Sequence, residues 1–297
     1  MSTTAPLIAA WARSAVVARD GAFKALHAHD IGAPVVQALL ERAGMAASHV
    51  DAVVVGNALG AGGNPARMLA LHAGLPKACA ALTVDTQCCA GLDAVSLGVA
   101  MIASGQAEVV IAGGIEAWSR SPIRMHRPLH KHEVAMPYER PAFAPTADKD
   151  PDLLLSAARY AAQNGYTRAQ QEAYALQSHA HAVDHAALIA KEIVPVAGVT
   201  HDTYPRHIDA DRAARMPVVA RSDTPNHDTH DACALSALTS GRAAVSRSCI
   251  LIPRLARRES ARWQARCRGS RPPLEAARAS LDSLNDHLRP TDRKTRA

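Results

Sequence analysis

Thr83 to Val95 reads TVDTQCCAGLDAV, and the rest of the chain is arranged around this segment. Val84 ends an extended apolar run, after which apolar residues recur at helical spacing until Gly105 supplies a stop signal. The pattern predicts a strand that passes directly into a helix. It places two adjacent cysteines, Cys88 and Cys89, on the turn between them.

A thiol on such a turn faces the unpaired N–H groups and the positive dipole end of the helix, which favour the thiolate over the thiol. Cys88 is therefore a candidate nucleophile. The alternative is that Cys88 and Cys89 are small buried hydrophobic residues in an alanine-rich helix.

Residues 85–92, DTQCCAGL, resemble the nucleophile motif of the thiolase family, which reads approximately N-x-x-C-A-S-G-L. This family contains acyl-CoA acyltransferases that make or cleave 3-oxoacyl-CoA, such as acetyl-CoA acetyltransferase and 3-ketoacyl-CoA thiolase. The resemblance puts Cys88 at the position of the nucleophile without a gap. Asp85 stands where Asn is usual, and Cys89 stands where Ala or Gly is usual.

Two flanking segments resemble the same family. Residues 56–67, GNALGAGGNPAR, resemble a glycine-rich segment that shapes the subunit interface and the active-site surroundings, and Arg67 closes it. Its spacing is not that of a phosphate-binding loop. In residues 113–119, GGIEAWS, Glu116 and Ser119 match the family pattern G-G-x-E-S-M-S. We expect Glu116 to be a structural carboxylate that accepts hydrogen bonds from nearby backbone N–H groups.

Strands and helices alternate up to residue 120. The patterns predict strands at 7–11, 53–55 and 108–112, a helix that Asp30 caps and Gly44 ends, and a helix that opens at Asn64. This alternation favours an α/β layer with a mainly parallel sheet. The resemblance implies a thiolase-like layered αβα fold, with the N-terminal half, an inserted loop domain and no C-terminal half.

Residues 121–149 are rich in Pro, His and charge and indicate an excursion from the sheet. Thr167 and Gln170 then form a capping box for a long helix to about Ile189. Residues 165–182, followed by EIVPV at 192–196, resemble the loop domain of thiolases. Residues 152–159 keep little of the family's coenzyme A signature, so we assign no cofactor-binding residue.

Two groups of histidines are possible metal ligands: His126, His130 and His132 in the loop, and His181 with His185 on the long helix. The loop group has no acidic or cysteine partner at matching spacing. We interpret both groups as solvated polar surface and assign no metal.

The composition changes abruptly after Ser236, where the resemblance ends. From Arg242 onward there are thirteen Arg and one Lys against five acidic residues, and no Gly-His-Pro motif follows. A frameshift or truncation is our interpretation, and a basic tail for nucleic acid or an anionic surface is the alternative. We expect the residues from about 242 to be poorly ordered and not to join the core.

Composition limits the remaining possibilities. The chain of 297 residues is 48% apolar and can bury a sizeable core. Six irregularly spaced cysteines favour a reducing cytoplasm, and no apolar run approaches the ~20 residues that span a bilayer. Aromatic residues make up only 3%, which leaves few platforms for stacking nucleic acid bases.

The resemblance implies acyl transfer through a thioester on Cys88, with coenzyme A or acyl-CoA as substrate, no covalently bound cofactor and a homo-oligomer. It also implies three regions: 1–120 as the N-terminal α/β domain, 121–222 as the loop domain for coenzyme A and oligomer contacts, and 223–297 as a broken return to the core with a basic tail. Because the family takes its base from the Gly-His-Pro histidine, we expect impaired activity or none. The alternatives are an inactive remnant that binds or dimerises, a ketoacyl synthase-like enzyme, and a protein that binds through its arginine-rich tail.

Overall fold

A computed structural model describes residues 6–60, 62–222, 234–236 and 248–253. In chain order the strands are β1 (Ala10–Arg13), β2 (Ala52–Gly56), β3 (Ala80–Val84), β4 (Val109–Gly114), β5 (Arg124–Met125), β6 (Pro137–Tyr138), β7 (Val218–Arg221), β8 (Ala234–Ser236) and β9 (Ser248–Pro253). The helices are α1 (Ala28–Ala43), α2 (Pro65–His72), α3 (Ala90–Ala103), α4 (Leu153–Gln163), α5 (Arg168–Asp184), α6 (Ala186–Ile189) and α7 (Ala210–Ala214).

Five strands form the central sheet in the order β1-β9-β4-β2-β3. β2 runs parallel to both β3 and β4, with Val54 opposite Leu82 on one side and Ala112 on the other. β9 runs antiparallel to its two neighbours. The mainly parallel sheet predicted from the alternation of strands and helices is confirmed.

The helices cover both faces of this sheet. Val54 and Val110 pack with Ala94 and Ile102 of α3 in one apolar cluster. Side chains alternate across a strand, so the buried Val53 points to the opposite face, on which α1 and α2 pack against each other and against the strands. The layered αβα architecture is therefore present.

The structure corrects the expectation that nothing after Arg242 joins the core. Ser248–Pro253 form β9, in which Cys249 pairs with Ala12 of β1 and Leu251 pairs with Ile111 of β4. The residues CILI at 249–252 are a short apolar run, which is typical of a strand inside a sheet. Arginines flank this run on both sides, so the average composition of residues 242–297 does not reveal it. The other tail residues, 237–247 and 254–297, lie outside the described residues.

Two details of the predicted helices also change. His27, not Asp30, is the N-cap of α1, and Asp30 lies three residues further on, where its Oδ2 accepts a hydrogen bond from the His27 backbone N–H at 2.9 Å. The long helix that begins after Thr167 is interrupted at His185, which separates α5 from α6. The predicted stop of α1 at Gly44 is confirmed, with φ of +60°.

The second part of the chain is mostly helical. The predicted capping box is present, because Gln170 accepts a hydrogen bond from the Thr167 N–H at 2.8 Å. β7 and β8 pair with each other and contact α4, and α5 contacts α7. None of the described helices is long and apolar enough to cross a membrane.

Candidate active site at Cys88

Three parallel strands end at the same edge of the sheet. β2 leads into Asn57, β3 leads into the turn that carries Cys88, and β4 leads into Glu116. Open α/β sheets bind ligands at the carboxyl ends of their strands. The fold therefore brings the predicted nucleophile and the predicted structural carboxylate to the edge at which a ligand site is expected.

The turn before α3 holds Cys88 on a strained backbone. Gln87 has φ of +56°, a left-handed conformation that costs a non-glycine residue about 1–2 kcal/mol. The Oδ1 of Asp85 accepts hydrogen bonds from the Gln87 backbone N–H at 2.9 Å and from its side-chain amide at 3.3 Å. Thr86 donates a further hydrogen bond to the Asp93 carboxylate in the first turn of α3. Backbone strain of this kind is typical of functional sites.

Both cysteines of the turn are accessible. Cys88 and Cys89 are exposed free thiols, so the alternative in which they are buried hydrophobic residues is wrong. Cys79, just before β3, differs from them in its burial. It is buried, and burial raises the pKa of its thiol although the nearby Arg67 acts in the opposite direction.

Glycines allow the start of α3 to approach the sheet closely. A Cβ atom on Gly56 would lie 2.4 Å from the carbonyl carbon of Ala90. On the next strand, a Cβ atom on Gly114 would lie 3.5 Å from the Cα atom of Gly91. No side chain fits between Gly56 and the first turn of α3, so this glycine determines how deeply the Cys88 turn sits on the sheet edge.

Glu116 is a structural carboxylate, as predicted. It is only 8% exposed, and its Oε1 accepts hydrogen bonds from the Asn57 amide at 2.8 Å and from the Leu59 N–H at 3.3 Å. Its Oε2 accepts from the Ala58 N–H at 3.0 Å. The carboxylate therefore organises the glycine-rich loop after β2, and both oxygens are committed to that loop.

The residues that follow the glycine-rich loop are built into the sheet edge. Asn64 caps α2 by accepting the Arg67 N–H at 3.2 Å, and its amide donates to the Ala81 carbonyl at 3.0 Å. The Arg67 guanidinium donates to the Cys79 carbonyl at 3.2 Å. The end of the motif thus fixes α2 beside β3. Ser119, the other matched residue, accepts a hydrogen bond from the Asp20 N–H at 2.8 Å.

The histidines that the sequence singled out have other contacts. The His126 ring stacks on Tyr138 with centroids 4.7 Å apart, and the His185 Nδ1 lies 2.8 Å from the carbonyl oxygen of His181. Within the described residues, neither group belongs to a set of three side chains able to share a metal ion.

Sequence reasoning missed several residues that shape the site. The roles of Asn57 and Asp93 depend on partners that no local pattern indicates, namely Glu116 and Thr86. The left-handed conformation of Gln87 likewise depends on the folded structure.

Cys88 remains a candidate nucleophile, because its thiol is accessible just before a helix. Cys88 is exposed, and the first N–H groups of a helix have no partner inside the helix and carry its positive dipole end. Such groups stabilise a thiolate, or the oxyanion that forms when a thiolate attacks a thioester carbonyl. Glu116 is not placed to act as the base, because its oxygens are held by the loop.

Comparison of the sequence with known proteins identifies a family and individual relatives. The family described as "Thiolase, N-terminal domain" matches residues 7–245, which extends the resemblance beyond Ser236. A putative acetyl-CoA C-acetyltransferase VraB of Staphylococcus aureus (strain MRSA252) is 34% identical over 227 residues, which are 73% of this chain and 60% of the relative. The acetyl-CoA acetyltransferase of Rhizobium meliloti (strain 1021) is 37% identical over 225 residues, or 70% and 56% of the two chains.

Among solved structures, the crystal structure of the Bacillus anthracis acetyl-CoA acetyltransferase matches with a TM-score of 0.73 and 23% sequence identity. The match covers 89% of this chain and 68% of that chain, and at this identity it supports the fold alone. The chain spans about 60% of the length of the Staphylococcus relative.

Proposed function

The chain belongs to the thiolase family, and from this premise we propose that Cys88 accepts an acyl group from an acyl-CoA as a covalent thioester. The observation that carries the proposal is the exposed Cys88 on a strained turn at the start of α3. The relatives of this chain are named as acetyl-CoA acetyltransferases, which supports acetyl-CoA as the first substrate to test.

The proposed step uses few groups. The Cys88 thiolate attacks the carbonyl carbon of the thioester and forms a tetrahedral intermediate, whose oxyanion is stabilised by N–H groups at the helix start. The bond from carbon to the coenzyme A sulfur then breaks, and the departing thiolate takes a proton from solvent. The acyl group remains on Cys88, ready for transfer to coenzyme A or to a second acyl-CoA.

We propose that turnover beyond this step is slow or absent. The family's base belongs to a Gly-His-Pro motif, and this sequence does not contain that motif. A positioned general base contributes about 10²- to 10⁴-fold to a rate. The rates of Claisen condensation and thiolysis should therefore be lower by at least that factor than in a thiolase that has the base.

The experiment separates acylation from turnover. The full chain is incubated with acetyl-CoA, and peptide mass spectrometry locates any hydroxylamine-sensitive acetyl group. We expect it on Cys88, absent in Cys88→Ala and retained in Cys89→Ala, which removes the neighbouring thiol. Acetylation of Cys89 instead of Cys88, or of neither, would refute the assignment. Thiolysis of acetoacetyl-CoA is followed in the same samples, and rapid turnover that depends on Cys88 would refute the proposed impairment.

A second candidate function is self-association without catalysis, and one observation favours it. The outer face of α3 is exposed and mostly apolar, with the half-buried Asp93 at its edge: Leu92, Ser96, Val99, Ala100 and Ala103. Leu92 alone is 71% exposed. A mostly apolar exposed face is typical of an interaction surface, and a second copy of this chain would cover it with the same residues.

Analytical ultracentrifugation tests this second candidate. The parent chain should sediment as a dimer, and Leu92→Lys should shift it to a monomer because a charge would then enter the contact. Asn164→Lys, in an exposed position at the end of α4, is the matched control and should stay dimeric. A monomeric parent chain would exclude self-association.

Two further proposals follow from family membership. We propose that residues 121–222 provide the coenzyme A and oligomer contacts, as the loop domain does by resemblance, and that 1–120 provide the nucleophile. We also propose a reducing cytoplasm as the compartment, since Cys79, Cys88 and Cys89 are free thiols.

A further inference from the structure

A cluster of metal-ligating side chains lies away from Cys88, where α1 begins and α2 ends. The Nε2 of His29 lies 3.6 Å from the Oδ1 of Asp30, and the Nε2 of His72 lies 3.5 Å from the same oxygen. All three ligand atoms lie within 4.8 Å of one another. His29 and Asp30 belong to the first turn of α1, and His72 is the last residue of α2.

These spacings are long for hydrogen bonds, whose N···O distances are about 2.7–3.2 Å. Both are instead in the range found between two ligands of one ion. Zinc binds imidazole nitrogen and carboxylate oxygen at about 2.0–2.2 Å, so two ligand atoms at the tetrahedral angle lie about 3.4 Å apart. Octahedral ligands at the same bond length would lie only about 3.0 Å apart.

We propose that His29, Asp30 and His72 form a site for a divalent transition metal of the zinc class, held by two imidazole nitrogens and one carboxylate oxygen. Two imidazoles favour zinc, cobalt or nickel over magnesium and calcium, which prefer all-oxygen sites. Water completes the coordination, because His72 leaves the site open to solvent with half of its side chain exposed.

The surroundings of Asp30 prepare it for this role. Its second oxygen, Oδ2, accepts the His27 backbone N–H at 2.9 Å, which orients the carboxylate and leaves Oδ1 facing both imidazoles. The His27 ring stacks on the His29 ring at 5.5 Å with an interplanar angle of 6°. The Arg120 guanidinium lies 3.4 Å from the Nε2 of His27, so its charge is directed at the stacking ring.

A metal ion at this site would cross-link α1 and α2. An ion at this position would tie the start of α1 to the end of α2, and these helices pack together on one face of the sheet. Metal binding would then stabilise the folded chain, because a preformed site exists only in the native state. The site is independent of the chemistry proposed for Cys88.

The test uses the untagged full chain, freed of metal and alkylated with iodoacetamide so that exposed thiols do not compete. Cobalt(II) is titrated first, because tetrahedral cobalt absorbs visible light much more strongly than the hydrated ion, and zinc is then added to displace it. We expect a visible band in the parent chain, its loss on zinc addition, and a rise in the melting temperature with either metal.

Three variants decide the assignment. His72→Ala removes an exposed ligand, and Asp30→Asn keeps an oxygen for the cap of α1 while removing the charged ligand. Each should weaken cobalt binding by at least about tenfold, since even residues behind the ligands contribute that much. His181→Ala, in the other histidine pair, is the matched control and should bind as the parent does.

A parent chain without a visible cobalt band would overturn the proposal. So would affinities in His72→Ala and Asp30→Asn within about twofold of the parent, since three-ligand sites depend strongly on each member. Far-ultraviolet circular dichroism of each variant verifies that a lost band reflects a lost ligand in a folded chain.

Discussion

At the scale of single residues, the reactivity of Cys88 depends on the turn that presents it. We expect iodoacetamide to alkylate Cys88 faster than Cys79 in the folded chain, because Cys79 is buried and its pKa is raised by burial. Asp85→Ala should slow alkylation of Cys88, since it removes the acceptor that holds the Gln87 N–H at 2.9 Å. The lost hydrogen bond is worth about 0.5–1.5 kcal/mol.

Asp85→Asn is the matched control. An asparagine oxygen accepts the same N–H bond, so this variant should retain the alkylation rate of the parent, and it restores the residue usual in the family. Peptide mass spectrometry after timed alkylation measures each cysteine separately. Equal rates at Cys79 and Cys88, or equal slowing in both Asp85 variants, would contradict this account of the turn.

At the scale of elements, the contact between Gly56 and the first turn of α3 sets the position of that helix on the sheet. Gly56→Ala should destabilise the fold by about 2 kcal/mol or more, because its Cβ would lie 2.4 Å from the Ala90 carbonyl carbon and backbone cannot move aside cheaply. The same change at Gly91 places a Cβ 3.8 Å from Gly114, an ordinary contact. Gly91→Ala should be neutral or stabilising by up to about 1 kcal/mol.

Urea unfolding of the two variants measures both free energies. Both variants add one methyl group where α3 approaches the sheet, so a general effect of added volume would give the same loss in both. Similar losses in both would mean that the approach of α3 to the sheet is not limited at Gly56.

At the same scale, Arg168 connects two helices, and it lies in the segment 165–182 that resembles the loop domain of thiolases. Its Nε donates to the Glu172 carboxylate at 2.6 Å, and one of its terminal nitrogens donates to the Ala214 and Met216 carbonyls at 2.9 and 2.6 Å. Arg168→Ala leaves the buried Glu172 unpaired and α7 without its C-terminal donor. We expect a loss of about 3 kcal/mol in the free energy of unfolding.

Arg212→Ala removes an exposed arginine of α7 itself and should change that free energy by no more than about 0.5 kcal/mol. Hydrogen exchange at α5 and α7 shows where protection is lost. Unchanged exchange in Arg168→Ala would mean that this arginine does not hold the two helices together.

The sequence was most informative where the signal is local. The strand, turn and helix around Cys88 and the capping box at Thr167 follow from periodicity and short-range chemistry, and the role of Glu116 follows from its place in a motif. The sequence does not reveal β9, because a strand in the middle of a sheet reads only as a short apolar run, and the flanking residues are basic. The cluster of His29 and His72 was missed because its members lie on different helices.

At the scale of the whole molecule, Arg13 joins the start of the chain to the residues after α6, where it pairs with Asp202 and, at 3.4 Å, with Glu192. Arg13 of β1 makes two 2.8 Å hydrogen bonds to the two oxygens of Asp202, with side chains only 10% and 14% exposed. Beside it the Ile193 segment extends the edge of β1, since the Val194 N–H donates to the Arg13 carbonyl at 2.8 Å. No local pattern predicts this pair, because its partners are joined only by the completed fold.

This pair predicts how stability depends on pH. Burial tends to raise the pKa of Asp202, but hydrogen bonds from Arg13 and from the Val16 N–H prevail and lower it below its usual value. A carboxyl with a lowered pKa in the folded state contributes stability above its unfolded value of about 3.9, and this contribution is lost as the pH falls further. Asp202→Asn should therefore cost about 3 kcal/mol near neutral pH, and the cost should shrink below about pH 4.

Glu139→Gln is the control, because Glu139 pairs with Arg19 at 3.2 Å on the surface, where its side chain is 77% exposed and such pairs contribute about 0–1 kcal/mol. Urea unfolding across the acid range measures both variants against the parent. A cost for Asp202→Asn that stays constant with pH would show that the variant loses packing rather than charge. The ion pair would then not be what holds the segment around Asp202 against β1.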